Sequence, residues 1–283
     1  MPRINSNIPA MITGNSLRSV ERDLSKSLEK LSTGLRINRA ADDAAGLSVS
    51  EQLTTQVTGL AMGGRNAQDG ESLVNIAEGA LNEVESMIQR MRELSIQASN
   101  DTLTSKERAY CEDEFDQLRT EIDRIVGCTQ FNSMRLLDGS APWGTTGGVL
   151  HVGPNDNSTG NDVILVTIAG VSTGALGIDA AHNVFITSQP QATASITTLD
   201  TALDRVNNLR ANLGAITNRL EHAITNQENQ QQNMQAAESV IRDTDFAAET
   251  TQFTRNQILQ QSSTAMLAQA NSIPQSVLSL LKG

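Results

Sequence analysis

VNIAEGALNEVESMIQRMRELSIQA, residues 74–98, decides the fold. Val74, Ala77, Leu81, Val84, Ile88, Met91, Ser95 and Ala98 follow one another in alternating steps of three and four. More than three unbroken heptads favour a coiled-coil seam over the shorter stripe of a globular surface helix. On the C-terminal side, Asn100-Asp101-Thr102 reads as a turn, and Thr104 with Glu107 as a capping box that starts the next helix. Cys111, Phe115, Leu118, Ile122 and Ile125 carry the stripe onward.

From about Asp138 to Pro190 the character changes. Gly, Thr, Asn and Ser cluster around short β-branched runs at 149–152, 163–166 and 184–187. The first two flank Gly153-Pro154-Asn155-Asp156-Asn157, which predicts a hairpin. Helix resumes near Thr193 with Leu199, Ala202, Val206, Leu209, Leu213, Ile216, Leu220 and Ala223 in the same step. Asn226 to Asn233 is almost wholly polar and weakens the seam; Met234, Ala237 and Ile241 resume it. Uninterrupted helix from Ile196 to Ala237 would be about 60 Å long.

Each end adds one more helix. Leu17, Val20, Leu24, Leu28, Leu31 and Leu35 mark the first, ending near Gly34, with Asn38 to Gly46 as a spacer. After the break at Asp243-Thr244-Asp245, Leu259, Ser263, Met266, Ala270, Ile273, Val277 and Leu280 mark the last, and Pro274 is expected to bend or end it. The order is palindromic. It predicts a mainly α chain: an elongated, rod-like antiparallel helical bundle or coiled coil with a small β-hairpin insert. The expected divisions are 1–45 (terminal helix and spacer), 46–138 (first part of the bundle), 139–192 (hairpin insert), 193–242 (second part of the bundle) and 243–283 (terminal helix).

Composition narrows the function. Seven aromatics in 283 residues and a net charge of −11 argue against nucleic-acid binding, since both the stacking platforms and the phosphate-neutralising charge are missing. The longest apolar run, Val163 to Val171, falls far short of the ~20 residues of a membrane span, and the N-terminus has no apolar signal core. Cys111 and Cys128 sit on a helical pattern about 25 Å apart, too far for an internal disulfide. They are read as reduced, half-buried core residues. His151, His182 and His222 fall in different elements without metal-ligand spacing. Met62-Gly63-Gly64 lacks the lysine of a phosphate loop. Glu112-Asp113-Glu114 with Asp116 reads as a solvated helix surface, and Asn157-Ser158-Thr159 as a weak glycosylation sequon. No catalytic constellation, cofactor site or metal site is expected.

The termini point to assembly. Residues 256–283 carry a single charge, Lys282, so an amphipathic helix there is poorly solvated alone. Two terminal helices cannot bury their apolar stripes by themselves, and isolated helices are marginal in water. The simplest further neighbours are copies of the same chain, joined in a non-closing, head-to-tail polymer. Leu17, Leu24, Leu28, Leu31, Leu35, Leu259, Met266, Ala270, Ile273, Val277 and Leu280 are the expected filament interface.

Several motifs then resemble one family. Leu31-Ser32-Thr33-Gly34-Leu35-Arg36-Ile37-Asn38, Ala41-Asp42-Asp43-Ala44-Ala45-Gly46-Leu47, Arg65-Asn66-Ala67-Gln68-Asp69-Gly70 and Gln89-Arg90-Met91-Arg92-Glu93-Leu94 are similar to bacterial flagellin. So are Gln257-Ile258-Leu259-Gln260-Gln261, Ala265-Met266-Leu267-Ala268-Gln269-Ala270-Asn271 and Pro274-Gln275-Ser276-Val277-Leu278. The resemblance covers roughly residues 1–138 and 193–282. It departs from the family pattern at Val240, at Glu71 and in the two cysteines. It implies a short, core-only flagellin: a secreted homopolymer of the flagellar filament, serving motility, with the terminal helices as inner tube. It also implies unfolded export by the flagellar type III apparatus, an export chaperone, a filament cap and other flagellins as possible partners. Gln89 to Gln97 matches the stretch recognised by the vertebrate Toll-like flagellin receptor, with Gln89, Arg90, Glu93 and Leu94 on matching positions. A hook–filament junction protein, which shares similar ends, and an enzyme on a helical scaffold are the alternatives.

Overall fold

The computed structural model describes residues 6–140, 142–144, 146–156 and 160–282, with side chains up to Ser272. Six helices and four short strands follow one another: α1 (Ile8–Thr33), α2 (Ala44–Ala98), α3 (Ser105–Cys128), β1 (Gln130–Phe131), β2 (Met134–Arg135), β3 (Gly148–His151), β4 (Val163–Val166), α4 (Thr173–Leu176), α5 (Gln189–Arg242) and α6 (Phe246–Lys282). They form two compact units, one of Gln56–Gln232 and one of Met1–Thr55 with Asn233–Gly283.

In the unit of residues 56–232, the heptad positions close the core. Val74, Ala77, Leu81, Val84, Ile88, Met91, Ser95 and Ala98 of α2 are all buried, as are Leu199, Ala202, Val206, Leu209, Leu213, Ile216 and Leu220 of α5. Phe115 and Ile122 of α3 join them. Ion pairs along the flanks fix an antiparallel α2–α5 alignment: Arg92 to Asp200 at 2.5 Å, and Arg210 to Glu85. Helix α3 runs antiparallel to α2, with Arg90 to Glu114 at 2.8 Å and the Arg108 guanidinium donating to the Ala98 carbonyl at 2.9 Å. The Thr104–Glu107 capping box forms as expected and holds the Glu107 carboxyl below its ordinary pKa through the Thr104 backbone N–H.

The hairpin β3–β4 pairs Gly148 with Val166 and His151 with Val163. It lies against α2 where glycine leaves room. A Cβ on Gly59, Gly63 or Gly70 would run into Pro154, the Val152 carbonyl or the Leu150 side chain. Two side chains hold the docked backbone: Asn66 Nδ2 donates to the His151 carbonyl at 2.8 Å, and Gln227 Nε2 donates to the Val152 carbonyl. The polar interruption that weakens the α5 seam in the sequence is thus partly a docking position, because buried Gln227 satisfies strand backbone there.

Several expectations need correction. A second, tiny hairpin pairs β1 with β2 through Asn132 and Ser133, both at positive φ, a turn geometry that Asn-Ser signals less strongly than Asn-Gly. The run 184–187 is no strand. Its Ile186 N–H goes to Glu112 at 2.6 Å, and its Phe185 carbonyl accepts the Ser195 hydroxyl at 3.0 Å. Cys128 is exposed, whereas Cys111 is half-buried, and both are free thiols. Of the two outcomes expected at Pro274, a bend or an end, the end does not occur: α6 runs on to Lys282. Ala237 of the resumed α5 stripe is exposed. The sequon at 157–159 lies outside the described residues.

Glu112 is the sharpest departure from the sequence reading: it is buried, not solvated, and its Oε1 has no hydrogen-bond partner. Burial pushes its carboxyl above the ordinary value of 4.5, the Ile186 N–H pulls the other way, and nearby Asp116 adds to the rise. The folded state therefore holds this proton more tightly than the unfolded chain. The group favours folding at low pH and loses that contribution as pH climbs above 4.5 through the raised value. Glu112→Gln keeps an acceptor for Ile186 without the charge. It is expected to raise the thermal midpoint at pH 8 by roughly 2–4 °C and to leave it little changed at pH 4, read by calorimetry.

Candidate assembly surface

Helices α1 and α6 pair antiparallel. Asn7 caps α1 by accepting the Ala10 N–H and also donates to the Ala270 carbonyl at 2.8 Å. Lys30 meets Glu249 at 3.9 Å near the other end. Gly34 ends α1 in a left-handed conformation at φ 74°, which glycine adopts without strain. Beyond it the two connections clasp. The Arg36 N–H donates to the Arg242 carbonyl at 2.7 Å, the Thr244 N–H donates to Gly34 at 2.9 Å, and the Arg36 guanidinium reaches the Ile241 carbonyl at 2.6 Å. Arg242 in turn pairs with Glu51 at 3.1 Å. In the spacer, Asp42 accepts the N–H groups of Arg39 and Asn38, and the former chiefly lowers its pKa.

Burial shows which residues face inward. On α1 and its cap the continuous stripe is Thr13, Leu17, Val20, Leu24, Ser27, Leu31 and Gly34, with Ala10, Gly14, Ser19, Glu29 and Lys30 half-buried beside it; on α6 it is Glu249, Phe253, Asn256, Gln260, Ser263, Leu267 and Ala270. Each stripe steps by four and three without a break. The expected interface residues therefore divide. Leu17, Leu24 and Leu31 are half-buried in the chain's own seam, Leu35 is half-buried in the clasp, and Ala270 is buried. Leu28, Leu259 and Met266 instead stand 58%, 42% and 59% exposed, in company with Met11, Ile12 and Ile258. The side chains of Ile273, Val277 and Leu280 lie outside the described residues. The sequence stripe took Leu28 where the seam takes Ser27, because both satisfy a seven-residue repeat and hydrophobicity favours leucine.

The α2 segment 89–97 presents a second surface. Gln89, Arg90 and Glu93 are exposed, and Arg90 bridges Glu114 and Glu93 at 2.8 and 3.0 Å. Those two carboxylates, Glu114 foremost, raise the Arg90 pKa. Leu94 is only 2% exposed and packs in the core, so its side chain is not offered at this surface. Among the described residues, no group of three His, Cys, Asp or Glu is placed to hold a metal ion, and no helix is long and apolar enough to cross a membrane.

Long antiparallel helices, a terminal pair with large apolar side chains left exposed and a small strand insert define a self-assembling structural subunit. Residues 4–141 match the bacterial flagellin N-terminal helical region, and residues 196–281 match the bacterial flagellin C-terminal helical region. The chain is 47% identical to a flagellin of Halalkalibacterium halodurans, with 99% of each chain covered, and 44% identical to flagellin FlaB2 of Treponema pallidum over the same shares. It belongs to the bacterial flagellins, in a core-only form, and is a secreted structural subunit of the flagellar filament. A putative flagellar hook-associated protein from Vibrio parahaemolyticus shares the fold at a TM-score of 0.59, covering 71% of this chain and 99% of that one, but at 15% identity the likeness is one of fold.

Proposed function

We propose that the α1–α6 pair forms the inner tube of the filament and that neighbouring subunits cover its outer faces, chiefly Leu28, Leu259 and Met266. Residues 46–138 and 193–242 then serve as the surrounding bundle, with 139–192 as its insert. The observation that carries this reading is the set of large apolar side chains left exposed on the charge-poor helix α6, together with Met11, Ile12 and Leu28 on α1. Leu17, Leu24, Leu31, Leu35 and Ala270 support the same interface from within by holding the pair together. Purified protein seeded with short filament fragments is expected to grow long filaments by electron microscopy. A short collar or no growth overturns the reading.

The same reading includes export in unfolded form by the type III apparatus, an export chaperone, a filament cap and co-assembly with other flagellins. For the Toll-like flagellin receptor, the exposed contact set is Gln89, Arg90 and Glu93, with Leu94 anchoring the helix beneath. Exposed ion pairs add little to stability, whereas arginine is frequent among residues that dominate binding. Arg90→Ala is therefore expected to lower activation of receptor-bearing cells by soluble monomer at least about tenfold, with an unchanged circular dichroism spectrum. Unaltered potency would remove Arg90 from the contact.

A further inference from the structure

The α1–α6 pair is built with its polarity partly inverted. Its seam carries Thr13 and Ser27 on one helix and Asn256, Gln260 and Ser263 on the other. Leu17, Val20, Leu24, Leu31, Phe253 and Leu267 share that seam, but Leu28, Ile258, Leu259 and Met266 face away from it. A helix pair stable by itself places those classes the other way round. Asn256 is the extreme case. It is 4% exposed, and its side-chain amide nitrogen has no hydrogen-bond partner. From the antiparallel contacts of Asn7 with Ala270 and Lys30 with Glu249, it lies level with the stretch of α1 between Val20 and Leu24.

A buried, unpaired amide is hydrated when the helices separate and dehydrated when they close. It therefore weighs on the closed state alone. We propose that Asn256 is a stability-setting residue of the terminal pair: its buried, unpartnered amide keeps α1 and α6 separable in the free subunit, so that they close firmly only when neighbouring subunits cover the outer faces. This rests on the filament reading above and adds the residue that sets the balance. A chain whose ends must separate for passage and then lock on arrival needs such a balance. The side chain acts through the pairing of its two helices and is a positioning residue.

Hydrogen exchange on the full-length free monomer tests it. Asn256→Leu, which fills the same space without a polar group, is expected to raise amide protection across residues 8–33 and 246–270 by roughly tenfold to a hundredfold. Asn256→Ala guards against overpacking by leucine and is expected to shift protection the same way by less. Asn256→Asp, which buries a charge, is expected to lower protection in both helices. Protection within about twofold of the natural chain for both the leucine and the alanine variants overturns the proposal. So does a rise confined to α6, since a gain in local helix propensity need not reach α1. The measurement uses no polymer, so its failure leaves the filament reading standing. Failure of the unaltered chain to grow on seeds sinks that reading without touching the exchange result.

Discussion

Glutamate at both Leu259 and Met266 is expected to abolish seeded filament growth while leaving the free subunit folded. Both side chains face away from the α1–α6 seam, and in the single chain they are 42% and 59% exposed. The substitutions therefore break little packing within the subunit, and glutamate is a good helix former. In the polymer the same positions are covered. Fully burying a leucine or methionine contributes about 1.5–3 kcal/mol, so losing the remaining burial of both costs roughly 2–3 kcal/mol per subunit. Burying a carboxylate without a partner costs more. The lost apolar burial alone corresponds to a critical concentration raised roughly 30- to 150-fold, and charge burial adds to that. Sedimentation of polymer against monomer concentration measures it, with circular dichroism to check that helix content holds. Growth at the natural critical concentration would show that this face of α6 is not covered by neighbours.

That these two residues face outward was only half legible in the sequence. The heptad repeat located α6 correctly, and the charge depletion of residues 256–283 marked it as a helix needing cover. The repeat could not say which side of α6 faces α1, because the inward Asn256, Gln260, Ser263, Leu267 and Ala270 keep the same period as Leu259, Ser263, Met266 and Ala270 and share Ser263 and Ala270 with them. Hydrophobicity decides between such stripes when a helix packs once. Here Ser263 and Ala270 pack within the chain while Leu259 and Met266 stay exposed, and polar Asn256 and Gln260 take the inward positions instead. The inner bundle posed no such choice: α2 and α5 each have one buried stripe, and every α2 position read from residues 74–98 is buried.

Backbone-mediated features were the least legible. Glu112 stands in an acidic run whose neighbours look solvated, and only the chain crossing at 184–187, seventy residues away, turns it inward to meet the Ile186 N–H. Gln227 belongs to a polar stretch that periodicity reads as a gap, and the hairpin carbonyl that gives it a role lies on another element. Such partners share no period with the residue they satisfy, so no local pattern announces them.

Gly63 shows the same limit from the side of space instead of polarity, and it yields the largest stability effect expected inside the subunit. As a helical glycine it weakens α2 by about 1 kcal/mol relative to alanine. A side chain there would nonetheless be worse, because a Cβ would strike the Val152 carbonyl, which is backbone and cannot rotate aside. Gly63→Val is therefore expected to lift the hairpin off α2. The loss includes the hydrogen bond from Gln227 and the burial of Val152. Leaving a buried amide unpaired costs about 1–3 kcal/mol, and exposing a valine about 1.5 kcal/mol or more. A total destabilisation of roughly 3–4 kcal/mol follows, measured as a lowered midpoint in urea unfolding. Gly79 lies sixteen residues along the same helix with nothing near its missing Cβ and an exposed position. Gly79→Ala is accordingly expected to stabilise by about 0.5–1 kcal/mol through backbone entropy alone. Opposite signs at two glycines of one helix separate the effect of the hairpin from that of helix propensity. Equal, stabilising shifts at both would mean that the hairpin does not rest on Gly63.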